Sequence, residues 1–384
     1  MASRDIATVF VAKTARTFCY GFLGILLPVY LSELGLGAGG VGVAVTLTLA
    51  GSAALTWAVR RPAERHGARA ALLGLAALSV VSAAILLAFH SPSLVVLAAM
   101  LGNVAVGTGE TGPFLSIEQV IIARAVTARR RTTVLSVYNL LGYAAAGLGA
   151  VSVGAVPTYR TLFALFLAAG LLQSLVYWWL PSRVTVERGA AASARPSAPL
   201  IRRMAALFAL DSFAGGFIVQ SLVAYFLHAR YGLDLSALGW VFFVAQILTA
   251  ASLLLAARAA TRFGLLNTMV VSHLVSNVLL VAIAVAPTAA VAVALLWARH
   301  LLSQMDVPTR QAFVMAVVDD HEREAAAVTT TLWRTVAQAV SPAITGWIMQ
   351  GLALAAPFVL GGGLKIAYDL LLWATFRHVK LNPD

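Results

Sequence analysis

The sequence predicts an all-α membrane protein with twelve transmembrane helices, arranged as two six-helix bundles. The first observation is composition: 60% of the 384 residues are hydrophobic and only 11% are charged, whereas soluble domains carry about 45–50% apolar and about 25% charged residues. The second is that apolar segments of spanning length continue to the C-terminus, which a secretory signal peptide does not explain. The third is an internal repeat of about 195 residues.

The limits of the predicted spans follow from membrane thickness and from turn residues. A bilayer core is about 30 Å thick, and about 20 apolar residues in a helix cross it. Turn formers interrupt the apolar runs at Gly35–Gly40, His90–Pro92, Pro157, Gly232–Ser236 and Pro287. The spans predicted on this basis are 7–32, 39–59, 70–89, 93–122, 132–155, 161–180, 204–227, 236–257, 267–286, 288–317, 325–350 and 357–376.

The longest polar stretch separates the spans into two sets of six. It runs from Pro181 to Arg203 and is rich in Ala, Ser, Arg and Pro. We therefore expect an N-terminal six-helix bundle at 1–180, a cytoplasmic linker at 181–203 and a C-terminal six-helix bundle at 204–384.

The basic residues predict how the chain is oriented. Lys and Arg accumulate in loops that face the cytoplasm. Here they occur in the linker, near both ends of the chain and in alternate loops, while the opposite loops contain only Arg160 and Arg230. The pattern predicts a multi-pass protein of a bacterial inner or plasma membrane, with both termini cytoplasmic.

The formal net charge of +12 is compatible with nucleic-acid binding in principle. The basic residues lie in short loops, however, without interleaved aromatics or zinc-finger spacing, so we expect no nucleic-acid partner. Cys19 is the only cysteine, which excludes an intrachain disulfide. No phosphate-binding glycine loop, metal-ligand cluster or G-x-S-x-G motif stands out, so we predict no enzyme activity, metal or cofactor. The expected partners are a small-molecule substrate, protons and the lipid bilayer, with the monomer as the functional unit.

The two halves share residues at a nearly constant offset. The pairs at an offset of 195 or 197 residues are Gly21/Gly216, Phe22/Phe217, Tyr30/Tyr225, Gly35/Gly232, Gly42/Gly239, Arg65/Arg262, Gly67/Gly264 and Pro113/Pro308. Two halves inserted in the same orientation lie side by side, related by an axis along the membrane normal.

The turn after the second span carries a family resemblance. Residues Arg60 to Arg69 resemble the major facilitator signature G-x-x-x-D-R-x-G-R-R/K, with Arg60, Glu64 and Ala68 as the departures. A degenerate copy follows in the second half at Thr261–Gly264, and Asn103-x-x-x-Gly107 looks like the R-x-x-x-G of the fourth span with its arginine replaced. The resemblance implies that spans 1, 4, 7 and 10 line a central cavity. The short loops and the compact core of this 384-residue chain resemble the drug/proton antiporter branch.

Four charged residues are predicted at one depth. At 1.5 Å per residue, Arg16, Glu110, Asp211 and Asp306 lie about 25–27 Å from the outer ends of their spans. An ionisable group inside a membrane segment is a functional-site hypothesis by default. Glu110 is our first candidate for a proton carrier, followed by Asp306 and Asp211. The alternative is a static salt-bridge layer, including an i,i+4 pair between Asp306 and Arg310.

Further polar residues are candidates for the substrate cavity. Arginine suits a carboxylate or a phosphate, so midplane arginines favour a solute with an anionic group, although neutralisation by nearby carboxylates explains them equally well. The cavity candidates are Arg16, Tyr20, Asn103, Asn139, Tyr143, Arg299, Arg310, Arg334 and Gln338. We interpret His273 and Asn277 as packing residues, and Lys365 with Asp369 as a self-neutralised i,i+4 pair.

The signature turn is the predicted cytoplasmic gate. Oppositely charged groups at the inner ends of neighbouring helices can hold that side shut. The gate candidates are Glu64, Arg65, Gly67, Arg69 and Glu118, with Glu118 as the expected partner of Arg65.

The function predicted from these features is secondary active transport of a small solute by alternating access, with proton-coupled efflux as the first interpretation. The alternatives are proton-driven uptake of a small organic anion and, from a different class, a membrane sensor that binds but does not translocate.

Overall fold

The computed structural model describes residues 2–107, 112–156, 158–180, 199–307, 309–310, 313 and 323–377, and those residues form an all-helical membrane protein. The helices, in chain order, are α1 (Ala2–Glu33), α2 (Ala38–Ala58), α3 (Arg60–Ala88), α4 (Pro92–Leu101), α5 (Pro113–Ala125), α6 (Ala128–Ala155), α7 (Tyr159–Trp178), α8 (Pro199–Gly216), α9 (Gln220–Tyr231), α10 (Leu235–Phe263), α11 (Leu265–Ala284), α12 (Ala289–Ser303), α13 (Arg323–Gly351) and α14 (Ala356–Phe376).

Each predicted span coincides with helix in the described part of the chain. Nine helical segments there are long and apolar enough to cross a membrane, counting Ile201–Tyr231 as one segment. Shorter apolar helices occur at Pro92–Leu101, Pro113–Ile122 and Ala289–Ser303. The predicted interruptions near residues 35, 90, 232 and 287 are confirmed as interhelical turns.

Three spans predicted as continuous helices are interrupted in the structure. The span predicted at 93–122 is broken between α4 and α5, the one at 204–227 between α8 and α9, and the one at 288–317 after α12. Asn103 adopts a φ of 50° at the first break, a left-handed conformation that ends a helix. The broken backbone is buried, as Asn103 is 2% exposed and Phe217 is 4% exposed. This is the setting in which a membrane protein tolerates irregular backbone.

The chain divides into two compact units. Unit 1 comprises Met1–Arg188 and Val223–Phe243, and unit 2 comprises Gly189–Leu222 and Val244–Asp384. Most of α9 and the start of α10 therefore group with the first part of the chain, although they follow the linker in sequence. Within unit 1, α6 and α10 are closely packed: a Cβ on Gly239 would lie 2.5 Å from the carbonyl oxygen of Ala150.

Repeat-equivalent residues make equivalent contacts in the two units. A Cβ on Gly21 would lie 2.0 Å from the carbonyl oxygen of Ala146, where α1 packs on α6. A Cβ on Gly216 would lie 1.8 Å from Oγ of Ser341, where α8 packs on α13. Gly216 lies 195 residues after Gly21, and Ser341 lies 195 residues after Ala146, so the two contacts join repeat-equivalent positions. Only glycine permits these backbones to approach so closely, which supports the predicted duplication.

Backbone conformation also repeats. Gly67 and Gly264 have φ values of 84° and 81°, and Gly35 and Gly232 have φ values of 92° and 67°. These angles are readily adopted only by glycine. The sequence pairs found at an offset of 197 thus mark the same turns in the two halves.

Candidate functional site: two buried ion networks

The network of unit 1 is centred on an arginine of α1 and a glutamate of α5. Arg16 Nη2 lies 2.6 Å from Glu118 Oε2, and Nη1 lies 3.2 Å from Oε1. This is the two-pronged geometry that makes guanidinium–carboxylate pairs strong. Arg16 is 1% exposed and Glu118 is completely buried, while the ring of Phe114 lies 4.4 Å from the guanidinium carbon.

Neutral donors complete the surroundings of the carboxylate. The hydroxyls of Tyr138 and Tyr177 donate to Oε2 and Oε1 of Glu118, each at 2.5 Å. Arg16 Nη1 also donates to Gln173 at 3.4 Å and to the Tyr177 hydroxyl at 2.9 Å. A buried ion pair repays its desolvation only when further hydrogen bonds satisfy the remaining polar atoms. This network meets that condition with residues from α1, α5, α6 and α7.

The position of Glu118 corrects the predicted gate. We expected Glu118 to pair with Arg65, but Arg65 is exposed and the Glu118 carboxylate is bound by Arg16. A fully buried carboxylate needs an equally buried cation, which an exposed side chain cannot supply. Of the other gate candidates, Glu64 is half-buried and the Arg69 guanidinium lies 4.8 Å from the ring centre of Trp178.

The network of unit 2 is centred on Asp211 of α8, the repeat equivalent of Arg16. Lys365 Nζ donates to Asp211 Oδ1 at 2.5 Å, and Arg310 Nη1 lies 3.5 Å from Oδ2. Arg310 also forms the predicted i,i+4 ion pair with Asp306. These residues are between 4% and 6% exposed. Asp211 and Asp306, predicted at one depth, are thus connected through Arg310.

His273 and Asn277, which we predicted to be packing residues, belong to the same network. His273 Nδ1 lies 2.7 Å from Asp369 Oδ1, and Asn277 donates to Asp369 Oδ2 at 2.9 Å. The predicted ion pair between Lys365 and Asp369 on the last span is wrong. Lys365 donates to Asp211 instead, and the Asp369 carboxylate contacts His273 and Asn277 of α11. Buried ionisable residues on span 9 were the available signal, but their partners are too distant in sequence to infer.

Asp211, His273 and Asp306 each offer a possible metal-ligand atom, and these atoms lie within 4.8 Å of one another. Divalent cations need carboxylates that are not already neutralised. Here Lys365 and Arg310 occupy the two carboxylates. The chemistry of this donor set therefore fits an ion-pair network better than a metal centre.

Two cavity candidates meet at the break in the fourth span. Asn103 Nδ2 lies 3.5 Å from the Tyr20 hydroxyl, which in turn lies 3.4 Å from the Gly102 carbonyl. Asn103 Oδ1 is buried and has no hydrogen-bond partner among the described residues. Asn139 is exposed and Tyr143 is half-buried, both on α6.

The remaining cavity candidates belong to unit 2. Arg299 is half-buried, and its Nε has no hydrogen-bond partner in the described part of the chain. Ser303 lies one turn further along α12, and its buried hydroxyl also has no hydrogen-bond partner among the described residues. Arg334 donates from Nε to Ser212 at 2.9 Å, and Gln338 is half-buried. Glu110, the first candidate for proton coupling, lies outside the described residues.

A sequence-family comparison matches the model described as Major Facilitator Superfamily to residues 9–298. Among curated proteins, the chain is similar to the uncharacterized membrane protein YJR124C of Saccharomyces cerevisiae, with 22% identity over 98% of this chain and 95% of that protein.

Solved structures of transporters have the same fold at low sequence identity. A mutant of the nucleoside transporter NupG has a TM-score of 0.79 with 13% identity, covering 97% of this chain and 100% of that one. A D-xylose-proton symporter has a TM-score of 0.75 with 16% identity and 98% coverage of both chains. The human organic anion transporter MFSD10 (TETRAN) has a TM-score of 0.67 with 16% identity, covering 97% and 99%.

Proposed function

This chain belongs to the major facilitator superfamily, and we propose that it moves a small solute across the membrane by alternating access, with an inward flow of protons driving export of the solute. The family and the transporter folds similar to it indicate a transporter rather than an enzyme. Proton coupling and the direction of transport are proposed beyond the family assignment.

The observation that carries the proposal is one buried ion network in each unit, built around repeat-equivalent residues of opposite charge. Arg16 is the cation of unit 1, and Asp211 is the carboxylate at the same repeat position in unit 2. Charges buried in a membrane protein are costly and are retained where function needs them. Networks with shared partners can exchange those partners between two conformations.

Asp211 and Asp306 are the described candidates for proton coupling. Both depend on Arg310, and Asp211 depends on Lys365 as well. A proton bound by Asp211 would weaken its attraction for Lys365, so protonation and helix packing become linked. We retain Glu110, the first candidate from the sequence, on sequence grounds. Glu64, Arg65, Gly67 and Arg69 remain the proposed cytoplasmic gate, in a protein with both termini in the cytoplasm.

Uptake of a small organic anion is the second candidate function. The buried Arg299 Nε and the Ser303 hydroxyl are donors without a protein acceptor in the described part of the chain. They lie one helical turn apart, as i,i+4 positions on one face of α12. An arginine fork and a hydroxyl together suit a carboxylate, which favours an anionic solute.

The proposal is tested with the purified chain in liposomes. Radiolabelled uridine, D-xylose and benzoate serve as probes of three solute classes, each measured with and without an imposed pH gradient. We expect counterflow exchange of at least one probe, and accumulation of that probe that depends on the gradient. The direction of the gradient that drives accumulation separates export from uptake.

Asp211→Asn and Glu110→Gln are the informative variants, with Asp5→Asn near the N-terminus as the control. We expect exchange to continue in the two membrane variants while dependence on the pH gradient weakens. Binding of a probe without flux would instead support a sensor. Gradient dependence that is unchanged in both variants would remove these carboxylates from the mechanism.

A further inference from the structure

His273 lies between two carboxylates and an ammonium group in unit 2. It is 4% exposed on α11. Its Nδ1 is 2.7 Å from Asp369 Oδ1, its Nε2 is 3.6 Å from Asp211 Oδ1 and 3.5 Å from Lys365 Nζ. The ring of Tyr368 packs edge-on at 5.8 Å. The imidazole therefore contacts charged groups through both nitrogens.

The hydrogen-bond pattern assigns the ring hydrogen. Asn277 Nδ2 lies 2.9 Å from Asp369 Oδ2 and 3.2 Å from His273 Nδ1. We assign its hydrogen to the nearer carboxylate oxygen, so the 2.7 Å contact between His273 Nδ1 and Asp369 Oδ1 takes its hydrogen from the ring. A neutral imidazole then presents a lone pair at Nε2, which accepts from Lys365. Asp369 and Asn277 fix the ring in this tautomer, as carboxylates do for histidines in many functional sites.

We propose that His273, rather than Asp211 or Asp306, is the residue of unit 2 that takes up and releases the transported proton. Asp369 and Asn277 are its positioning residues, and Asp211 is the carboxylate through which the proton acts on Lys365. This inference rests on the proposed proton-coupled transport. A proton from water binds Nε2, and the imidazolium then donates from Nε2 to Asp211 Oδ1. The ammonium of Lys365 loses Nε2 as an acceptor and competes for the same oxygen. When Nε2 returns the proton to water on the other side, the original contacts are restored, and no other group changes protonation.

The groups in contact with the ring carry one net negative charge. Asp211 and Asp369 contribute two negative charges and Lys365 one positive charge, so one proton neutralises the set. Imidazole is also the side chain that most readily gains or loses a proton near neutral pH.

Charged groups farther from the ring act in both directions. Asp306 and Arg310 neutralise each other. Arg299 and Arg334 lie within electrostatic range of Asp211 and oppose an added proton. Coulomb energy falls with distance, so the three groups in contact with the ring dominate.

The location of His273 separates the proton from the solute. α11 and α14 correspond to spans 9 and 12, which are not among the spans expected to line the cavity. His273 is connected to α8, which corresponds to the expected cavity-lining span 7, through the contact between Lys365 and Asp211. Proton binding therefore changes a contact of α8 without occupying the space of the solute.

Nitrogen-15 NMR of histidine-labelled protein in lipid nanodiscs tests the inference without any solute. The resonances absent from His273→Asn identify His273. Spectra are compared from alkaline to mildly acidic pH. We expect Nδ1 alone to carry a hydrogen at the alkaline end and both ring nitrogens to carry one at the acidic end. His273→Asn keeps an amide in place of Nδ1–H and should fold. Asp369→Asn, which retains the histidine, should redistribute the ring hydrogen between the two nitrogens, whereas His90→Gln should leave these resonances unchanged.

A His273 ring that keeps the same single protonated nitrogen across this pH range would overturn the inference. The liposome assay provides the second readout. In a wild type that accumulates one of the three probes, we expect His273→Asn to retain counterflow and lose accumulation driven by the pH gradient. Unchanged accumulation would also overturn the inference, whereas absence of flux for every probe in the wild type counts against the proposed function and leaves the NMR result to decide on His273.

Discussion

Glu118 and Arg16 form a bidentate ion pair across 102 residues of sequence, with their closest atoms 2.6 Å apart and both side chains almost inaccessible. The pair joins α5 to α1 inside unit 1. Asp211, the repeat equivalent of Arg16, has the opposite charge. It joins α8 to α14 inside unit 2 through its contact with Lys365. Each unit therefore has its own buried ion network.

Replacing Glu118 by Gln should strongly destabilise the protein. The variant leaves the Arg16 charge buried without its carboxylate, and breaking a buried pair costs about 3–5 kcal/mol. The double variant Arg16→Gln/Glu118→Gln removes both charges and should recover part of this loss. Both changes in stability are measured by thermal unfolding in detergent. A thiol-specific fluorophore that reacts with the buried Cys19 once it becomes accessible reports unfolding. Equal unfolding temperatures for Glu118→Gln and wild type would contradict this account.

Replacing Gly21 or Gly216 by Ala should separate tightly packed helices. The added Cβ would overlap Ala146 in one unit and Ser341 in the other, and overpacking costs about 1–3 kcal/mol. Gly363→Ala, at a helical position with no atom within 4 Å of the added carbon, is the matched control and should be neutral or stabilising. The same unfolding assay applies, and a control as unstable as the two test variants would refute the close-approach explanation.

Asn103 should tolerate glycine better than valine. Its φ of 50° suits glycine, whereas a β-branched residue is strained in this region by about 1–2 kcal/mol. Asn103→Gly should therefore unfold at a higher temperature than Asn103→Val. The reverse order would mean that side-chain contacts, rather than backbone conformation, determine the break in the fourth span.

A chelator should leave the stability unchanged. Asp211 and Asp306 already bind Lys365 and Arg310, so we expect no resident divalent cation at these carboxylates. Unfolding temperatures measured before and after treatment with EDTA should agree. A decrease that added Zn²⁺ or Mn²⁺ reverses would show that the carboxylates and His273 hold a metal.

Impermeant maleimide labelling in intact cells should reveal the orientation of the chain. In a Cys19→Ser background, we expect His90→Cys to react from outside and Arg65→Cys to react only after permeabilisation, because both native side chains are exposed and basic loops stay in the cytoplasm. The opposite labelling pattern would invert the proposed topology.

The sequence by itself determined which apolar segments are helical and where glycine turns repeat in the two halves. Both are local properties: about 20 apolar residues match a bilayer, and Gly67 and Gly264 mark turns that require a positive φ. The i,i+4 pair of Asp306 and Arg310 was predictable for the same reason, because helical geometry sets its distance.

Tertiary structure alone decided which charges meet. Lys365 pairs with Asp211 across 154 residues of sequence rather than with Asp369 four residues away, and Glu118 binds Arg16 rather than Arg65. A buried charge binds the partner that helix packing brings within about 3 Å with its other polar atoms satisfied, and periodicity along one helix contains no information on the rotation of its neighbours. The breaks in spans 4, 7 and 10 depend on packing in the same way, because an interrupted helix survives in a membrane only where surrounding protein encloses its backbone.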